Sequence, residues 1–219
     1  FNDVIGIDEA KKETDFYIQN FPLAEDIGKI YYIRGEINYG LAKYEEAIES
    51  FKKSFSYLGN SERLPYVENG LALAYLKLGD ANNALLHFEK CIDSKPDKFI
   101  LSAAIFGKGK ALSALGRHEE AIIEYDRIIY KYPDSEWLDD ATLWKAEAMV
   151  ELGRLHEAEE LYEKSMLSLT DSELLDDMKY NLGWVYIKEK KFDEAIEIFK
   201  NIARKSHGTV LKLSSLLRL

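Results

Sequence analysis

Cysteine is almost missing from this chain: Cys91 is the single one in 219 residues. One thiol forms no internal disulfide, so a packed core has to hold the fold, and cytoplasm and bacterial periplasm suit it equally. Proline is scarce at four residues, and no stretch is polar enough to stay disordered, which leaves room for long amphipathic helices. No apolar run reaches the ~18 residues of a membrane span, and no basic-then-apolar leader pattern opens the sequence, so direct membrane insertion of this segment is not expected. Positive charge is also short. A formal net charge of -10 argues against nucleic acid as the main ligand, because phosphate binding needs a basic surface that releases counterions. The C-terminal cluster of Lys and Arg from Lys188 onward reads as a solvated helix face.

What the chain does have is a period. Ala47, Ala84, Ala121, Ala158 and Ala195 follow one another at 37 residues, and Phe51, Phe88, Tyr125, Tyr162 and Phe199 stand four residues after them. Gly35, Ala72, Gly109, Ala146 and Gly183 keep the same spacing, as do Leu41, Leu78, Leu115 and Leu152. The clearest copy is Tyr132 to Ser165, which reads as helix, glycine turn and helix. Ser135 or Asp134 is placed to cap the first helix, Gly153 ends it, and Ala158 with Tyr162 faces it from the second. In two copies the turn glycine is replaced, by Ala42 and by Lys190, and the Ala42 turn is expected to be more strained or differently shaped. Cys91 falls on the spacing filled elsewhere by Ile128 and Ile202, which marks it as a small buried hydrophobe.

A small residue, an alanine twelve positions on, an aromatic four later, and Pro96 or Pro133 eight beyond that resemble the tetratricopeptide repeat (TPR) family. The resemblance implies an all-α fold, a TPR-type right-handed solenoid of antiparallel helix pairs. Five repeats are expected over 24–207, at about 24–60, 61–97, 98–134, 135–171 and 172–207. Residues 1–22 read as a half-repeat or N-terminal capping helix, weakened at Thr14 where an aromatic is expected, and 208–219 as the start of a sixth repeat or a C-terminal cap. The chain thus is expected to begin and end in mid-repeat. The period exceeds the family's usual 34 residues, and the extra residues are expected to lengthen each first helix by nearly one turn. With the YPDS junction, this resembles the TPR subset found in bacterial envelope proteins.

Chemistry-bearing constellations are lacking. His87, His118, His156 and His207 occupy four different repeat positions, so no convergence into a metal site or a base is expected. Gly107 and Gly109 lie inside a predicted helix and form no phosphate loop, and Glu157, Glu159 and Glu160 read as a solvated face. The sequence therefore predicts no catalytic residue, no metal, no cofactor and no enzyme activity. What the resemblance implies instead is a protein–protein interaction scaffold whose first helices line a concave groove. The groove positions carried over are Tyr32, Tyr39, Leu73, Phe106, Lys110, Leu143, Glu147, Tyr180, Trp184 and Ile187. The partner is a protein or peptide that the sequence does not name. The carboxylate clamp of co-chaperone TPR domains is excluded, because its positions read Tyr32, Glu36, Gly70, Ala103 and Gly107. Two alternatives stand beside the scaffold: a structural array that self-associates as a homo-oligomer, and a bacterial envelope-assembly adaptor.

Overall fold

The period of the sequence returns in the helix boundaries. The computed structural model describes residues 2–59, 61–168 and 174–205, and the regular structure among them is entirely helical. A leading helix, α1 (Asn2–Asn20), precedes first helices α2 (Ile27–Gly40), α4 (Leu64–Lys77), α6 (Lys98–Ala114), α8 (Leu138–Glu151) and α10 (Leu175–Lys188). The second helices are α3 (Tyr44–Leu58), α5 (Ala81–Asp93), α7 (His118–Lys131), α9 (Leu155–Ser168) and α11 (Phe192–Lys205). The predicted sixth repeat over 208–219 lies outside the described residues.

Two compact units divide the chain, Phe1–Gly116 and Arg117–Leu219. In the first, α1 packs on α2, helices α2 to α6 pack each on the next, and α2, α4 and α6 also stand side by side. In the second, the sequence of contacts from α7 to α11 is the same, and α8 stands beside α10. First helices are therefore neighbours within each unit, which is how residues 37 positions apart come to share a face.

In repeats one, two and five the period lodges a phenylalanine ring against backbone. Phe51 is fully buried between two first helices: a Cβ on Gly35 of its own repeat would stand 2.5 Å from the ring, and one on Gly70 of the next repeat 2.6 Å. Phe88 lies against Gly107 in the same way, and Phe199 against Gly183. The alanines at the second-helix position, from Ala47 to Ala195, are at most 2% exposed, as close packing of the pair demands. Cys91 is fully buried, and burial pushes its thiol up to about 12.

Each turn closes through a left-handed residue. Gly79, Gly116 and Gly153 have φ of 80°, 72° and 74°, and Ala42 and Lys190 adopt the same conformation at 57° and 64° despite their side chains. The surrounding bonds explain why: Lys43 N donates to Asn38 O at 2.8 Å and Lys191 N to Tyr186 O at 2.8 Å, matching Asp80 N to Tyr75 O in a glycine turn. The helix-ending hydrogen bonds thus hold the backbone in place whichever residue supplies it.

The three extra residues do not lengthen every first helix. Only α6 is extended, to 17 residues; α2, α4, α8 and α10 have 14. Elsewhere the extra residues make a separate turn, with Ile27 N donating to Ala24 O, Leu64 N to Ser61 O and Leu138 N to Ser135 O at 3.0–3.1 Å. Local hydrogen bonding distinguishes α6 from α4 and α8, while the turn at Ala24 forms without a side-chain hydroxyl. Asp97 caps α6 by accepting from Phe99 N and Ile100 N. Asp134 occupies the equivalent place, but Ser135 follows it, and its hydroxyl accepts from Trp137 N at 3.2 Å and fixes the turn; Ser61 does the same to Arg63 N. Ser135 and Ser61 therefore hold the turn ahead of the helix and do not cap the helix itself.

Candidate partner-binding site

In the first unit the predicted positions are braced against the core. Tyr32 is half-buried with its ring 5.8 Å from that of Phe51, and burial, then the charge of Glu36, pushes its phenol up to about 12. Tyr39 lies beyond Glu36, its ring 5.5 Å from that of Tyr44. Burial likewise raises the Glu36 carboxyl. Leu73 is half-buried, and on α6 the Lys110 ammonium lies 5.7 Å from the Phe106 ring centre. Phe106 itself is only 5% exposed, so it supports this face from below and offers a ligand little more than an edge.

The second unit brings two of its predicted residues, Glu147 and Trp184, into a cleft. Leu143, one of the groove positions carried over, is 7% exposed and belongs to the core, so it offers a ligand little surface. Tyr180 and Trp184, one turn apart on α10, meet edge to face at 6.4 Å, and both rest on buried Phe199, at 5.8 and 6.4 Å. Ile187 is half-buried on the same helix and packs on the core. Between α8, α9 and α10 opens a cleft of about 350 Å³, lined by Glu147, Val150 and Glu151, by Tyr162, and by Asn181, Trp184 and Lys188. Asn181 Nδ2 donates to Glu147 Oε1 at 2.7 Å.

Tyr162, Asn181, Glu151 and Lys188 are not among the site residues that the sequence predicts. For Asn181 a signal exists. Its place in the period is held by Gly70 and Gly107 in earlier repeats, where a phenylalanine ring fills the space above the glycine. Here a polar side chain meets a tyrosine whose hydroxyl is buried, and the geometry becomes a polar-floored cleft.

Among the described residues, one group has the closeness a metal ion needs: His156, Glu159 and Glu189. Its cation is already built in. Lys191 Nζ donates to both Glu159 oxygens at 2.7 and 2.8 Å and lies 2.9 Å from Glu189. Glu159 is 8% exposed, so it does not belong to the solvated face expected of it; Glu160 beside it is exposed. Burial alone would raise the Glu159 carboxyl, but hydrogen bonds from Lys191 and His156 more than reverse this and hold it below the usual 4.5. A depressed carboxyl contributes stability above its unfolded pKa and loses it as pH falls through the folded one. In thermal melts from pH 7 to pH 3, Glu159→Gln is expected to show a shallower acid loss of Tm than the parent; equal slopes would contradict the pairing.

The sequence matches models of the tetratricopeptide repeat at residues 28–57, 69–98, 103–135 and 176–203, more than half of the chain. The chain belongs to the TPR family. Its fold is accordingly the all-α TPR solenoid of antiparallel helix pairs, and TPR chains as a class act as protein-interaction scaffolds. No curated protein matches this TPR chain as a whole sequence. Several solved structures match its fold. MamA from Desulfovibrio magneticus RS-1 is similar at 18% identity and TM-score 0.68, over 83% of this chain and 97% of that one. PilW, described as a widely conserved type IV pilus biogenesis factor, is similar at 18% identity and TM-score 0.78, over 96% and 90%. YrrB, described as a TPR protein with an unusual peptide-binding site, is similar at 16% identity and TM-score 0.64, over 93% and 97%.

Proposed function

We propose that this TPR chain is a non-catalytic scaffold that binds a partner polypeptide on the faces of its first helices. The observation that carries the reading is the pair Tyr180 and Trp184: half-buried aromatics that rest on Phe199, with Trp184 walling the cleft and Tyr180 packed against it one turn away. Aromatic side chains held rigid in this way lose little entropy on binding and are enriched at binding hot spots. In the first unit Tyr32 holds the position of Tyr180, Leu73 and Lys110 that of Trp184, and Tyr39 that of Ile187. YrrB carries a peptide-binding site by its description, and the reading extends that class of activity to this chain.

A photo-crosslinking residue tests it. Benzoylphenylalanine placed at Tyr180 or Leu73, on first helices, is expected to capture a partner from a lysate of the source organism. The same residue at Leu86 or Ile123, exposed on second helices at 47% and 60%, is expected to capture nothing specific. Trp184→Ala should weaken the captured partner at least about thirtyfold, the scale of a 2 kcal/mol hot spot. Capture from Ile123 alone, undiminished by Trp184→Ala, would place binding on the second helices and refute the reading.

A further inference from the structure

The cleft of the second unit has a chemistry of its own, and giving it a polypeptide occupant rests on the scaffold function proposed above. Its floor holds Tyr162, which is 1% exposed and whose hydroxyl has no hydrogen-bond partner among the described residues. A buried hydroxyl left unpaired is costly, and a native site that keeps one has a use for the donor. Burial first, and the charge of Glu147 second, hold the phenol well above its ordinary pKa against a smaller opposing pull from the Asn181 amide, so it stays protonated and able to donate. The Asn181 amide donates to Glu147 and faces the phenol oxygen only as a donor, which leaves the Tyr162 O–H without an acceptor among the described residues. On one wall Glu147 and Glu151 stand one helical turn apart, an i,i+4 pair of like charges that repel on an isolated helix. Glu151 is exposed and in no ion pair among the described residues. The facing wall is the Trp184 ring, with Val150 beside it. One cation, Lys188, also lines the cleft, which leaves an excess of negative charge in a chain that already carries -10.

Paired carboxylates next to an aromatic face match one kind of side chain: a cation at the end of an apolar stem. We propose that the cleft receives a lysine or arginine of an extended partner segment. Glu147 and Glu151 hold the cationic head, Trp184 and Val150 lie along the stem, and the Tyr162 hydroxyl donates to a main-chain carbonyl of the segment. A cation between the two carboxylates relieves their repulsion, and the carbonyl satisfies the buried donor, so one ligand settles both local costs.

The test uses the 219-residue chain and randomised decapeptide pools whose central residue is fixed as lysine, arginine, norleucine or glutamate. At low ionic strength the lysine and arginine pools should be retained at least about tenfold more than the other two, as charge-assisted hydrogen bonds allow. The double variant Glu147→Gln with Glu151→Gln should reduce that preference to about twofold or less. Tyr162→Phe should weaken retention of all pools about three- to tenfold with its melting curve little changed or raised, since the hydroxyl donates to no acceptor among the described residues of the free protein. A norleucine pool retained as well as the basic pools, and lost in Trp184→Ala, would overturn the basic preference while the scaffold function stands. Retention of every pool equally by the parent and by Trp184→Ala, or of none, would overturn both. Free spermidine that saturates the chain while no pool is retained would overturn the polypeptide occupant.

Discussion

Phe88→Ala is expected to destabilise the protein by about 3–5 kcal/mol, the range for deleting a fully buried phenylalanine ring. The ring sits on the backbone of Gly107, in the first helix of the following repeat, so the loss opens an interface between repeats as well as a hole inside one. The reciprocal change has a separate signature. Gly107→Ala puts a methyl group into the Phe88 ring and should cost about 1–3 kcal/mol from overpacking. In a Phe88→Leu background that second cost should shrink, because the shorter side chain vacates the space. Chemical denaturation of the four proteins of this cycle measures the coupling, and strictly additive penalties would mean that the ring and the glycine do not meet.

His87→Ala, one residue away, should cost about 2–3 kcal/mol for unrelated reasons. His87 Nδ1 lies 2.5 Å from Glu68 Oε2, and both side chains are largely buried, so alanine leaves a carboxylate without its partner. Hydrogen bonds to charged groups are worth about 1.5–3 kcal/mol. The imidazole also stacks on Tyr75, with ring centres 5.5 Å apart and planes within 10°, a contact worth about 0.5–1.5 kcal/mol. His87→Gln keeps a donor within reach of Glu68 and should recover part of the loss. A melt of His87→Ala that overlays the parent would show that Glu68 has found another partner.

Much of the fold is legible in the sequence because the period is carried by the residues that make the closest contacts. Gly35, Ala47 and Phe51 recur as small, small and ring for a packing reason, so counting positions locates the helix pairs and the buried rings. The fate of the three extra residues is less visible: the helix is extended from Lys98, a separate turn forms where Ser61 or Ser135 holds that position, and the same turn forms at Ala24, which has no hydroxyl. The site divides along the same line. Trp184 and Glu147 stand out because they occupy recurring positions on first helices. Tyr162 reads as filling space between helices, which it does, but its hydroxyl has no counterpart in the phenylalanines that stand there in repeats one, two and five. Glu159 misleads because an acidic run on a helix looks solvated until a lysine 32 residues later is seen to reach it.

The nesting of Phe51 and Phe88 against the next repeat's backbone also bears on recombination. A repeat is copied or exchanged with least repacking where the junction it creates still presents a glycine to an incoming phenylalanine. Phe51 with Gly70 and Phe88 with Gly107 are alike in this respect, so repeats one and two are interchangeable donors at their downstream borders. Tyr162 faces a repeat that carries Asn181 at that position, and Trp144 stands there in repeat four. A phenylalanine-bearing repeat spliced ahead of either would lose the glycine that its ring rests against. The order of repeats along this chain is therefore marked in its junctions, and shuffled versions should be most stable when cut where glycine meets phenylalanine.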